Sequence, residues 1–159
     1  LGLFRSGPVR RRAGELTELI LAKTTRMVYV ALPEEMVVNE TLETFEKMKE
    51  YNMIGGQPMV FLNRATLPSL TDEERSLIQR LTDQQLEGVE GEFVRAGRWE
   101  DQLEQATLES QERLTESLPV EPILVPPSGA GGVPKEVVGS VAVHLGRLVG
   151  LSRRALAWT

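Results

Sequence analysis

The stretch that most constrains this 159-residue chain is a strand, helix, strand pattern running from Thr24 to Arg64. Arg26 to Leu32 is a short, nearly continuous apolar run centred on Val28, Tyr29 and Val30, the pattern of a strand covered on both faces in a parallel sheet. Pro33 ends the ladder because it has no N–H to donate. From about Val38 the period changes: Leu42, Phe45 and Met48 recur every third position opposite Glu43, Glu46, Lys47 and Lys49, which predicts a surface helix over the sheet. Gly55 and Gly56 stop that helix, and Pro58 leads into a second strand, Met59 to Leu62. A crossover of this length makes a right-handed βαβ unit, so the fold class is α/β with a parallel sheet.

The rest of the chain adds to that unit. Leu1 to Val9 reads as a loose lead-in, and Leu16, Leu19 and Ile20 fall at helical spacing within Arg10 to Leu21. After Asn63 the chain leaves the sheet. Thr71 with Glu74 forms a capping box ahead of Leu77, Ile78, Leu81 and Leu86, predicting a helix from about Asp72 to Glu87. Gly88, Gly91 and Gly97 punctuate a weaker helical stretch. Arg98 to Ser117 resumes the helix with so few apolar residues among so many charges that the spacing places it on the outside of a helical hairpin, an insertion between strands. Val120 to Val125 is a third strand. Pro134 suits the first turn of a closing helix that carries the strongest apolar stripe in the chain, from Val137 to Val149. Gly150 ends it, and LSRRALAWT is a tail. The whole reads as a single domain over residues 1–159: a lead-in helix to 21, the βαβ unit at 24–64, the hairpin at 72–117 and the last strand and helix at 119–150.

Composition removes several functions. Eighteen basic and 23 acidic side chains give a net charge of −5, which disfavours a nucleic-acid backbone as partner. There is no Cys, so disulfides, thiolate metal sites and a Cys nucleophile are excluded. No apolar run approaches the roughly 20 residues that cross a bilayer, so direct membrane insertion is not expected, and a cytoplasmic setting fits the absence of Cys. Opening on Leu1 suggests a fragment of something longer.

In a parallel sheet, ligands sit beyond the carboxyl ends of the strands. Pro33, Glu34, Asn63 and Arg64 hold that place. Asn63 can donate and accept at once through its amide, matching the paired edges of a purine, and Asn is equally a turn former at strand ends. Glu34 and Glu40 could act as acid, base or metal ligand, but neither has a His companion; Glu40 also suits an early helical position by the helix dipole. The run Ser128 to Gly132 resembles a phosphate loop, yet Val133 and Pro134 stand where a Lys and a hydroxyl would be needed, so it suits a wall beside a ligand or a plain connection. His144 is isolated, and the Arg10 to Arg12 cluster reads as solvent-facing. No nucleophile elbow, HExxH, GxGxxG or Ser/His/Asp arrangement occurs, which ranks a small Rossmann-like enzyme last. No complete catalytic or metal-binding set is present.

Taken in order, Thr24 and Thr25 before a strand, Pro33 and Glu34 in a turn, Glu40 and Thr41 in a helix opening, Leu62 to Arg64 at a strand end and the late segment LPVEPILVP resemble the C-terminal half of the arsenical-pump-driving ATPase family. That family includes the ATPases that deliver tail-anchored membrane proteins. The resemblance runs from about Leu16 to Leu148 and is weakest in the hairpin. It implies part of a P-loop NTPase-like three-layer sandwich, with about three parallel strands, from a dimeric, nucleotide-switched ATPase. In that reading Asn63 contacts adenine, Val125, Pro126, Pro127 and Ser128 line the other side of the base, and Arg64 borders the pocket. ATP would be the ligand, with Mg²⁺ supplied through an N-terminal half. The implied partners are that half or a second copy, and a membrane-protein or pump partner. The family's Gly-Lys-Gly-Gly loop, catalytic Asp and Asp-Thr-Ala-Pro switch are absent, so this chain alone is not expected to hydrolyse ATP. The competing expectation is a non-catalytic interaction module that uses the 72–117 hairpin as its contact surface.

Overall fold

β1 is the short strand Val28–Ala31, β2 is Met59–Asn63 and β3 is Ile123–Val125; all three pair in parallel, in the order β1-β2-β3. The computed structural model that gives this sheet describes residues 7–84 and 86–127, together with 139, 142 and 146. Four helices accompany the strands among them: α1 (Pro8–Leu21), α2 (Glu35–Glu50), α3 (Asp72–Thr82) and α4 (Gly88–Ser117). The α/β class and the parallel βαβ unit are as the sequence predicts. The closing helix expected from Pro134 lies outside the described residues except for Gly139, Ala142 and Gly146, which are helical.

Register decides which side chains share a face. Tyr29 pairs with Val60, Ala31 with Leu62, and Leu62 with Leu124. This face is buried by Val38 and Phe45 of α2 and by Leu114 and Leu118 at the end of α4. Leu62 is fully enclosed, and burying a Leu side chain of that kind contributes about 1.5–3 kcal/mol.

The opposite face departs from expectation. Val28 and Val30 are 54% and 61% exposed, so β1 alternates instead of being covered on both sides. Both described layers that touch β1 strongly, β2 beside it and α2 above it, meet the strand on its edge or on its Tyr29 face. An apolar run without alternation in sequence therefore serves an edge strand with one covered face.

The helices also correct the sequence reading. In α2 the buried stripe is Val38, Thr41 and Phe45, with Leu42 and Met48 only half-buried. Thr41 tolerates burial because its hydroxyl donates to the Val37 carbonyl at 2.8 Å. The capping box is present: Glu74 N–H donates to Thr71 Oγ1 at 3.2 Å, and Thr71 N–H donates to Glu74 Oε2 at 2.8 Å. α3 ends at Thr82, earlier than expected. α4 is one continuous helix of 30 residues, with Gly91 and Gly97 inside it. Gly97 is there for close approach, since a Cβ at that position would meet Ile78 Cδ1 of α3 at 3.1 Å. Gly55 is used in the same way, because a Cβ would come within 2.6 Å of the Ala22 carbonyl oxygen beyond α1.

Candidate functional site

The carboxyl ends of β2 and β3 meet at one corner. Asn63 and Val125 are ladder partners, and the Ala65 N–H donates to the Val125 carbonyl at 3.0 Å. Between them Arg64 takes φ 59, the left-handed region that side chains other than Gly seldom occupy. That single residue turns the chain out of the strand while the next amide keeps its bond to β3. Ala65 is fully buried, Arg64 exposed and Asn63 half-buried. Pro126 and Pro127 follow Val125 directly, one half-buried and one exposed.

Five of the six residues expected to border a base are therefore neighbours in the ladder or in sequence at this corner. Ser128 lies outside the described residues, as do the Gly-rich run after it and His144. The Asn63 amide makes no side-chain hydrogen bond among the described residues, so its donor and acceptor are both available to a ligand. An amide in this state fits a purine edge, which presents one acceptor beside one donor.

The β1 end is different. Glu34 is the exposed N-cap residue of α2 and makes no side-chain cap bond. Glu40 is exposed within α2 and not at its opening, which falls at Glu35. A crevice of 370 Å³ opens beside Pro33, lined by Glu35, Ala106, Glu109, Ser110 and Arg113. It contains none of the six expected base-contacting residues. No group of three or more His, Asp or Glu side chains able to hold a metal ion occurs among the described residues.

The residues that sequence reasoning missed lie on α4. Glu104 is completely buried in the middle of that helix. Its Oε1 accepts from Ser69 N–H at 2.7 Å, Ser69 Oγ at 2.8 Å and Leu70 N–H at 3.2 Å. Its Oε2 pairs with the Arg75 guanidinium, which also binds Asp101. Burial pushes the Glu104 carboxyl up, but the bonds from Ser69, Leu70 and Arg75 outweigh it and hold the group below the usual carboxylate range. One turn on, Thr107 Oγ1 accepts from Thr66 N–H at 3.0 Å and donates to the Leu103 carbonyl at 2.9 Å. α4 is thus not an outer, solvated helix. Its buried stripe of Glu104, Thr107, Ser110 and Leu114 is mostly polar because it faces loop backbone. The signal available in sequence was that helical spacing, which a purely apolar count passes over.

Among known proteins, the chain matches no family model and no curated protein. No described helix is long and apolar enough to cross a membrane.

Proposed function

We propose that this chain is the C-terminal portion of an anion-transporting, arsenical-pump-driving-like ATPase and supplies the adenine side of an ATP site. The observation that carries the reading is the pairing of Asn63 with Val125, which sets an unengaged amide beside the strand end leading to Pro126 and Pro127. In this reading the sheet is part of a P-loop NTPase-like sandwich, α3 and α4 form its hairpin insertion, and the protein works in the cytoplasm. ATP binds with its base against Asn63, Val125, Pro126, Pro127 and Ser128, and Arg64 borders the pocket. Asn63 orients the base through paired hydrogen bonds, and the apolar strand end excludes water from one of its faces. Phosphates and Mg²⁺ are held by an N-terminal half or by a second copy of the chain. β1 is a terminal strand of the described sheet with exposed Val28 and Val30, an edge of the kind that a further strand or chain covers.

Titration with adenosine and ATP, followed by NMR at the Asn63 side-chain amide, tests the reading. Adenine compounds are expected to shift that amide more than guanosine does, and Asn63→Ala to weaken binding about tenfold, the loss of roughly 1–3 kcal/mol that one paired-edge contact supplies. Equal responses to adenosine and guanosine, or binding that survives Asn63→Ala, would refute it. Sedimentation tests the association: a monomer at high concentration, with no pairing to a nucleotide-loop protein, counts against the exposed edge as an interface.

A second reading has its own observation. Leu77 and Phe93 are 46% and 78% exposed beside a 270 Å³ groove between α3 and α4, also lined by Leu70, Ile78, Leu81 and Val94. An interaction module would use this surface and show no adenine response.

A further inference from the structure

We infer that Glu104 and Thr107 of α4 are positioning residues for the Asn63 corner, acting through the loop Thr66 to Leu70 that they hold at both ends. What the corner binds rests on the adenine reading above. The clamp itself rests on geometry alone.

Beyond β2 the chain keeps a single described ladder bond, from Ala65 N–H to the Val125 carbonyl. After that, the next described backbone donors to be satisfied reach α4 and not the sheet: Thr66 N–H goes to Thr107, and Ser69 and Leu70 N–H go to Glu104. The Thr107 hydroxyl is already committed as donor to Leu103, so it meets Thr66 only as an acceptor, which fixes the direction of that bond. Glu104 gathers its three loop donors on one oxygen and leaves the other to Arg75, the residue that also binds Asp101 and, at 3.5 Å, the Leu70 carbonyl. The loop is therefore tied to a helix whose far end, through Leu114 and Leu118, belongs to the core under β2. A buried carboxylate is a poor choice for stability alone, since an apolar residue of similar size does as well or better. Its use here suits a demand for fixed geometry. The left-handed turn at Arg64 gives that demand a reason: one residue of slack at Thr66 is enough to let Arg64 relax and swing Asn63 off the strand end.

The test uses amide hydrogen exchange of the full chain, read residue by residue by NMR, in Thr107→Val, Thr107→Ser and Glu104→Gln. Thr107→Val keeps shape and removes the acceptor. It is expected to raise exchange at Ala65 and Thr66 at least tenfold while Val60 and Leu62 stay within twofold, and Thr107→Ser is expected to restore protection. Glu104→Gln acts in the same way at Ser69 and Leu70. A uniform rise across the sheet marks a residue that only stabilises the fold and overturns the inference; so does unchanged exchange at the corner. Adenosine affinity forms the second arm, with a loss of at least fivefold expected in Thr107→Val. Undiminished affinity in that variant overturns positioning. If wild type binds no adenosine yet the exchange effect is local, the adenine reading fails and the clamp stands.

Discussion

Tyr29→Phe is expected to make this protein more stable by about 1 kcal/mol, because it removes a buried hydroxyl that has no partner among the described residues. Tyr29 is 8% exposed, and its ring meets Phe45 edge-on, with centroids 6.0 Å apart and planes at 73°. That aromatic contact is worth about 0.5–1.5 kcal/mol and is retained by Phe. A buried donor left unmade costs about 1–3 kcal/mol, whereas the oxygen's own dispersion contacts, at roughly 0.1–0.2 kcal/mol each, sum to less. The balance favours Phe. At this chain length the gain corresponds to roughly 2–4 °C in Tm.

The same residue gives a pH signature. Burial raises the Tyr29 phenol above its ordinary value of 10.0, so the folded state keeps its proton while the unfolded state loses it. Stability from this group is complete below pH 10.0 and is lost as pH rises from there toward the folded value. Phe cannot ionise, so the gap between the two proteins must widen above pH 10. Urea unfolding at pH 7 and pH 10.5 measures both effects. A variant less stable than wild type at pH 7, with a gap that stays constant at high pH, would show that the hydroxyl is satisfied and that the reasoning is wrong.

Gly97→Val is expected to separate α3 from α4, because even a Cβ lies 3.1 Å from Ile78 Cδ1; overpacking of this kind costs about 1–3 kcal/mol, and Ile78→Ala in the same background should recover part of it in a thermal melt. Arg64→Val is expected to destabilise by about 1–2 kcal/mol because φ is 59, while Arg64→Gly leaves stability close to wild type; equal losses would mean that the turn is not left-handed in solution. Glu104 is held below its ordinary value of 4.5, so its contribution is present above that pH and disappears as pH falls through the lowered folded value. Acid unfolding monitored by circular dichroism is therefore expected to flatten in Glu104→Gln, and an unchanged acid limb would contradict the network.

The βαβ unit was legible because each of its signals is local. An apolar run, Pro33, a change of period and paired glycines all fall within a few residues of what they determine. The Asn63 corner was legible for the same reason, as the end of a strand. What could not be read was anything whose partner is far away in sequence. Glu104 looks like one more charge on a charged helix, and its Ser69 partner is 35 positions distant. Gly91 and Gly97 look like breaks, and only the approach of Ile78 explains why Gly97 is inside α4. Likewise Val28 and Val30 give the same apolar signal as Tyr29 and Ala31, although only the second pair is buried.

These distant contacts assign different work to different parts of α4. Its last turn belongs to the sheet core through Leu114 and Leu118, and its middle holds the strand-end loop through Glu104 and Thr107. A helix advances about 1.5 Å per residue, so Thr107 and Leu114 are linked by a stiff rod of roughly 10 Å. That rod fixes the loop relative to the same sheet from which Asn63 projects, closing a ring of β2, Arg64, loop and helix. The amino-terminal part of α4 lies outside the ring and is tied chiefly to α3. Damage at Gly97 therefore loosens the helix pair and leaves the corner in place, whereas loss of the Thr107 acceptor opens the ring at the residue next to the only ladder bond that holds the corner to β3.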